Sequence, residues 1–304
     1  MNCNRYYFIL LSVKEREVTR IIEKLLIGYH VKGQAYALDF HTHPQYEIFL
    51  FHGGNCRFLV GNKIYYLQPG DLLMMDGMTV HRAYVIGNKD AYERSIVHFD
   101  ADWIAPLLKD LNIDYLLRLF TENRNGLIRT FRKKDELLLE DAIREMNHLQ
   151  QLDQSYANEA KRKLSLIQLL LKIDSSTDKI VEKGQAYVDE KTQIAEKVSE
   201  YIFKHYRDSF NIDDIASALN LSKSYLSHAF KEITGNTIMA YAMGYRLSQA
   251  CTALLMEPTK SIKMISGECG FESDAHFSRY FKQNIGTTPS NYRKNNRISI
   301  QKGE

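Results

Sequence analysis

One segment occurs twice in the last hundred residues, and it constrains this chain more than any other feature. SKSYLSHAFKEITG (222–235) and SDAHFSRYFKQNIG (273–286) have equal lengths and share Ser, Ser, Phe, Lys and Gly at matching positions. Each follows a short apolar-patterned segment, IDDIASAL (212–219) or IKMISGEC (262–269), and then a tight turn. The turns are Asn220-Leu221 and Gly270-Phe271-Glu272. Helix, turn and second helix, repeated, is the pattern of paired helix-turn-helix units.

Each second helix has its own punctuation. Ser222 and Ser273 suit N-caps, and Gly235 and Gly286 suit C-terminal stops. Leu226 with Phe230, and Phe277 with Phe281, are four apart and make the inward faces. Ser224, Ser227, His228 and Lys231 then share an outward face, as do Ala275, Ser278, Arg279 and Lys282. These faces are polar or cationic and mostly short-chained, which suits close approach to base edges and phosphates. Either helix alone reads equally well as a solvated face of a bundle; the repetition favours DNA. Between the copies, TIMAYAMGYRLSQACTALLM (237–256) predicts one continuous helix. Its length of about 28–30 Å is close to one turn of DNA, about 34 Å.

These residues resemble the AraC/XylS transcription regulators. The C-terminal signature is matched by Ile265, Gly270-Phe271, Phe277-Ser278-Arg279, Phe281-Lys282, Gly286, Pro289 and Tyr292-Arg293. The first unit matches through Ile215-Ala216, Leu221-Ser222, Tyr225-Leu226, Phe230-Lys231, Gly235, Arg246, Ala250 and Leu254-Leu255. Ser266 and Gly267 depart from the usual small apolar residues, which predicts a less stable first helix in the second unit. The resemblance implies that Ser224, Ser227 and His228, with Asp274, Ala275, Ser278 and Arg279, face bases or phosphates. For Asp274 two roles stay open: accepting from a cytosine amino group, or favouring the helix N-terminus electrostatically. The resemblance also implies a homodimer, double-stranded operator or promoter DNA, a small-molecule effector such as a sugar, and RNA polymerase as partners. It implies an activator that is not an enzyme.

Ahead of the repeat, residues 34 to about 100 alternate short aromatic and β-branched runs with turn formers. QAYALDF, YEIFLFH, CRFLV, KIYYL, DLLMM and SIVHF are parted by Gly53-Gly54, Gly61-Asn62, Pro69-Gly70, Asp76-Gly77 and Gly87-Asn88. That spacing predicts an antiparallel β-barrel or jelly roll. ELLLEDAIREMNHLQQL and ANEAKRKLSLIQLLLKI carry apolar residues at helical spacing. A stripe through Leu164, Ile167 and Leu171 predicts packing on the barrel, with the remaining face pairing two subunits. The polar run 175–191 reads as a linker. The fold class is therefore α+β with several domains: a cupin-type barrel over 1–101, a helical dimerisation segment over 102–174, the linker 175–191, and an all-α domain with two helix-turn-helix units over 192–304.

FHTHPQYEIF (40–49) carries the remaining chemistry. His41-x-His43-x₃-Glu47-x₆-Gly54 resembles the first cupin motif, and Gly70-x₅-Asp76 with His81 resembles the second. Asp76 stands where proline is usual, and no Asn follows His81 at the usual distance. Three His and one Glu are a full set of ligand types for zinc, iron or manganese. With the second motif degraded, the same positions read as an effector pocket of His41, His43, Glu47, Tyr46 and His81, with no metal and no cofactor. Tyr36, Tyr46 and Phe40 suit stacking on a sugar face, although strand aromatics pack cores by default. The competing class is a metal-dependent cupin enzyme with a helical tail, which has no need of two matched helix-turn-helix units.

Composition decides less. The net charge is +3; residues 191–304 hold 15 Lys or Arg against 11 Asp or Glu, a surplus of four, which leaves −1 for the rest. A basic tilt at one end is permissive for nucleic acid. Four scattered cysteines predict a reducing, cytoplasmic compartment. YYFILLSV (6–13) is too short to span a bilayer, and no cleavage-type sequence follows it, so neither a signal peptide nor a membrane span is expected.

Overall fold

The computed structural model describes residues 24–33, 41–121, 127–129, 133–177 and 189–301. YYFILLSV, QAYALDF with Tyr36 and Phe40, and residues 178–188 of the expected linker lie outside the described residues.

The described residues form eight strands: β1 (Leu25–Lys32), β2 (Tyr46–Gly53), β3 (Cys56–Val60), β4 (Lys63–Tyr66), β5 (Asp71–Met75), β6 (His81–Val85), β7 (Glu93–Phe99) and β8 (Leu127–Arg129). All pairings are antiparallel, in one sheet of order β1-β7-β2-β5-β8 and another of order β4-β3-β6. Among the described residues the hydrogen bonding thus runs in two facing antiparallel sheets. β1, β6 and β8 escape the sequence reading. In β1 the apolar run is broken by Gly28 and by a register shift between Gly28 and Val31, with His30 at φ 48°.

Strand alternation sorts the side chains into layers. Ile48 and Leu50 of β2, Leu72 and Met74 of β5, and Val97 and Phe99 of β7 turn outward into a core shared with helices. Those helices are α1 (Ala101–Asp110), α2 (Lys133–Leu149) and α3 (Tyr156–Thr177). The neighbouring positions Phe49, Phe51, Leu73 and Met75 turn inward and meet Cys56, Phe58, Val60 and Val85 of the second sheet. Both faces of β2 and β5 are covered, which is why YEIFLFH and DLLMM read as nearly continuous apolar runs.

The helical pattern needs one correction. Ile167 is buried, but Leu164 and Leu171 are exposed, and the buried face of α3 runs through Leu166, Leu169, Leu170 and Ile173. His30 joins this layer to the sheet: its Nδ1 lies 2.8 Å from Glu93 on β7 and its Nε2 2.7 Å from Glu140 on α2.

From Glu190 the chain is helical: α4 (Glu190–His205), α5 (Ile212–Leu219), α6 (Lys223–Thr234), α7 (Ile238–Met256), α8 (Ile262–Glu268), α9 (Asp274–Ile285) and α10 (Pro289–Gln301). The Ser222 hydroxyl accepts from the Tyr225 amide and the Ser273 hydroxyl from the His276 amide, while Gly235 and Gly286 end their helices in the left-handed region. α8 does form despite Ser266 and Gly267, with Ser266 buried. Arg246, buried on α7, donates to the Tyr206 carbonyl (2.7 Å) and the Asp208 carbonyl (2.7 Å), clamping the end of α4. Gly270 sits at φ 78° beside this clamp, and any Cβ there would overlap the Tyr206 carbonyl oxygen.

The outer face of the three-stranded sheet packs on this helical domain. Leu59, Ile64 and Val80 share a core with Ile194 and Val198 of α4, Phe230 and Ile233 of α6, and Tyr241 of α7. Arg57 donates to the Glu232 and Ile233 carbonyls at the end of α6 (2.8 and 2.9 Å), and Tyr66 meets Thr192 at 2.6 Å.

The His30 contacts set a pH dependence. Burial alone would lower its pKa, but hydrogen bonds to Glu140 and Glu93 outweigh this and raise it above 6.5. A raised folded-state pKa contributes stability that is fully present below the unfolded value and lost as pH rises through the folded value. The difference in denaturation midpoint between the natural chain and His30→Gln is therefore expected to be largest near about pH 6 and to shrink toward about pH 9. Chemical denaturation across that range measures it.

Candidate functional site

β2 and β7 place the first carboxylate and a histidine opposite each other. Glu47 pairs with His98 across the β2–β7 ladder and with Met75 across the β2–β5 ladder, and its side chain turns into the space between the sheets. His43, just before β2, is four residues back, and its Nε2 lies 3.0 Å from Glu47 Oε2. His81, at the start of β6, and His98 bring their Nε2 atoms to 3.2 Å from the same oxygen. His41 bridges to His81 through backbone hydrogen bonds, and the two rings lie 4.1 Å apart. Glu47 is 4% exposed, His43 7% and His81 1%.

The backbone fixes two of these rings. His43 Nδ1 sits 2.9 Å from the Gln45 carbonyl and His81 Nδ1 2.8 Å from the Thr79 carbonyl. A carbonyl oxygen accepts, so both Nδ1 atoms carry protons and both Nε2 atoms point at Glu47. Gly77, at φ 71°, accepts the His43 amide through its carbonyl at 2.9 Å. A Cβ on Gly77 would overlap the Gln45 and His43 carbonyl oxygens. Burial pushes the His43 pKa down to about 4, partly offset by its hydrogen bond to Glu47. Burial also opposes charge on Glu47, yet the field of His98 and the contacts from His43, His81 and His98 hold its carboxyl well below the usual range. His81 is desolvated too, but its contact with Glu47 raises its pKa.

Of the five expected effector residues, His41, His43, Glu47 and His81 are brought together. Tyr46 is not. Neighbouring residues on a strand face opposite ways, and the Tyr46 ring packs against Phe99 and Phe120 on the helix-covered side. The residue missed is His98. Alternation along ERSIVHF puts it on the inward face, but only the pairing register shows that it meets Glu47. Two overlapping donor groups result, His41/His43/His81 and His43/Glu47/His98, each with its ligand atoms within 4.8 Å of one another.

Thr42 was also missed. It lies between the two site histidines and turns away from them toward α7. There its hydroxyl meets the Thr252 hydroxyl at 2.6 Å and that of Ser248 at 3.2 Å. α7 is the helix that connects the two helix-turn-helix units.

On the helical side, Ser224, His228, Lys231, Asp274, Ala275, Ser278, Arg279 and Lys282 are exposed and Ser227 is half-buried. The inward residues Leu226, Phe230, Phe277 and Phe281 are fully buried. Asp274 is the first residue of α9, where a negative charge complements the helix N-terminus. His228 Nδ1 lies 3.6 Å from Glu232, which also holds Lys191 of α4 at 2.7 Å.

A family model described as an AraC-like ligand binding domain matches residues 24–166, and one described as a helix-turn-helix domain matches residues 215–295. This chain belongs to the AraC family. It is a DNA-binding transcription regulator with an effector-binding domain, not an enzyme. It is 24% identical over 293 residues to the uncharacterized HTH-type transcriptional regulator YdeC of Bacillus subtilis (strain 168), covering 94% of this chain and 97% of that relative. It is 38% identical over 93 residues to the xylose operon regulatory protein of Escherichia coli (strain K12), covering 31% of this chain and 24% of that protein. A solved structure of the C-terminal domain of AraT, a response regulator from Geobacillus stearothermophilus, is 27% identical, covering 35% of this chain and 88% of that one, with a TM-score of 0.33. Among the described residues, no helix is long and apolar enough to cross a membrane.

The seat of His43 is directly testable. Gly77→Ala forces a side chain into the left-handed region and onto the His43 backbone, and is expected to destabilise the sensor domain by about 2 kcal/mol or more. Urea denaturation of the variant against the natural chain measures the loss.

Proposed function

We propose that the sensor domain receives a small-molecule effector at the His41/His43/Glu47/His81 cluster and that Thr42 carries its occupancy to α7. The observation behind this reading is the alternation along His41-Thr42-His43: the outer two residues line the site while the middle one touches Thr252 and Ser248. A ligand that moves the histidines by even a fraction of an ångström moves the residue between them. Coupling of this kind amounts to about 1–3 kcal/mol in well-studied regulators.

In this reading the effector is a sugar and the chain an activator. Support for the sugar comes from similarity to proteins named xylose and arabinose operon regulatory proteins, matched over 24% and 34% of their own lengths. The units are those read from the sequence: sensor 1–101, dimerisation segment 102–174, linker 175–191 and DNA-binding domain 192–304. Exposed Leu137, Leu138, Leu164 and Leu171 give α2 and α3 an apolar outer surface that suits a homodimer. α7, with 19 residues, spans about 28 Å, which suits two recognition helices entering successive major-groove segments on one face of operator DNA. Ser224, Ser227, His228 and Lys231 serve the first half of that contact. Asp274, Ala275, Ser278, Arg279 and Lys282 serve the second. RNA polymerase is the downstream partner, and the cytoplasm the compartment.

Residues 192–304 alone are expected to bind DNA, with affinity falling steeply as salt rises. Arg279→Ala is expected to cost about 1–3 kcal/mol on operator DNA while leaving non-specific binding nearly unchanged; competition with mutated operators separates the two. No loss on any DNA would remove α9 from the groove.

Thr42→Val keeps the shape of the side chain but removes its hydroxyl. It is expected to change the effector dependence of operator binding in the full chain while leaving the 192–304 fragment, which lacks Thr42, as it was. Effector titrations by fluorescence anisotropy read this, and an unchanged response would sever the proposed link.

A further inference from the structure

We infer that the cluster around Glu47 is a binding site for a divalent first-row transition-metal ion, held by His43, Glu47 and His98 and completed by His81. The inference places a ligand class at the site proposed above and takes only its location from that reading. Three features carry it.

The first is the direction of the lone pairs. His43 and His81 donate their Nδ1 protons to the Gln45 and Thr79 carbonyls. In the neutral ring this leaves the Nε2 lone pair facing a carboxylate oxygen 3.0 or 3.2 Å away. Two lone pairs and an anion that face one another need a cation among them. Histidines that ligate metals show this same arrangement, with the far nitrogen tied to a carbonyl and the near one turned to the ion.

The second is the count of charges. One carboxylate balances one imidazolium, and three imidazoles converge on Glu47 Oε2. Protonating a single ring satisfies a single contact. The Nε2 atoms of His81 and His98 are buried, and both lie 3.2 Å from the same oxygen that His43 already contacts at 3.0 Å. Asp76, whose Oδ1 accepts from the Thr79 amide at 2.9 Å, favours charge on His81 through its field.

The third is size. Nitrogen and oxygen ligands of such ions bind at about 2.0–2.2 Å, so adjacent donors lie about 2.8–3.1 Å apart in an octahedral shell and about 3.3–3.6 Å apart in a tetrahedral one. The three nitrogen–oxygen separations here are 3.0, 3.2 and 3.2 Å. The donors already stand at the edges of a coordination shell. Imidazole-rich sites favour zinc, copper, iron or nickel over magnesium, calcium and manganese, which prefer oxygen.

Degradation of the second sequence motif argued against a metal. The degraded features are Asp76 in place of proline and the missing Asn after His81. His98, brought in by β7, supplies an imidazole that neither motif contains. An ion here would leave coordination positions for oxygen atoms of an effector, so the two readings are compatible but independent.

The full-length chain, stripped with a chelator and dialysed, is titrated with Co²⁺ while its visible ligand-field absorption and its melting temperature are followed. DNA and effector are absent, so the outcome does not depend on whether the chain answers to a sugar. One equivalent should bind with visible bands and raise the melting temperature. His98→Gln and Glu47→Gln, each checked by circular dichroism, should weaken binding at least tenfold. His52→Gln, in the separate group formed with His30 and Glu140, should bind as the natural chain does. No bands and no melting shift in the natural chain would refute the site without recourse to any variant. Binding that survives in both folded site variants, or that is lost in His52→Gln, would also refute it by placing the ion elsewhere. If Glu47→Gln fails to fold, His98→Gln alone decides, since the His98 side chain is 21% exposed and its loss is the milder one.

Discussion

Packing of the outer face of the three-stranded sheet on α4, α6 and α7 is the contact on which this regulator's organisation depends. Leu59, Ile64 and Val80 are buried there at 1–3% exposure, and each such side chain stabilises the contact by about 1.5–3 kcal/mol relative to exposure. Around them the polar groups are matched rather than merely present. The Ile64 amide donates to Glu196 at 3.1 Å, Arg57 donates to two carbonyls that end α6, and the Tyr241 hydroxyl reaches the Gly61 carbonyl at 3.4 Å. A seam of this size orients the two domains and still lies within reach of a ligand's differential binding energy.

The histidine cluster borders that seam on one side: Val80 and Arg82, which flank His81, both meet the helical domain, whereas Ile48, Val97 and Phe99, which flank Glu47 and His98, pack on the α1–α3 side. His41, Thr42 and His43 show the border most directly, because Thr42 contacts the helix that spaces the two DNA-reading units. Aromatic rings fill the rest of the inter-sheet space, with Phe49 and Phe58 4.8 Å apart, in keeping with the close packing of protein interiors.

Electrostatics work in the same place. A carboxylate at 4% exposure persists as an anion only if its surroundings replace water, and here imidazoles do so. The site is therefore held by charge and by two backbone carbonyls that set ring direction, with Gly77 needed because no larger residue fits against His43. On the opposite side of the first sheet, His30 plays a simpler part, tying α2 to β7 through two carboxylates.

The sequence alone determined the DNA-binding half almost completely. Helix-turn-helix structure is local: caps at Ser222 and Ser273, left-handed stops at Gly235 and Gly286, and apolar residues four apart are all written in consecutive residues. β2, β3, β4, β5 and β7 were legible between their turn formers, whereas β6 was missed despite lying between two such turns and β1 was lost where a bulge interrupted its pattern. Tertiary structure decided what depends on pairing between distant segments. That His98 stands opposite Glu47 is a fact of register, and that Tyr46 faces away follows from the same alternation once both faces of the sheet are known to be covered. The buried side of α3 passed from Leu164 and Leu171 to Leu166, Leu169, Leu170 and Ile173, because an apolar stripe broader than the contact leaves open which edge is covered. The contact of Thr42 with Thr252, 210 residues apart, has no local signature at all, since only the packing of one domain on the other brings the two hydroxyls together.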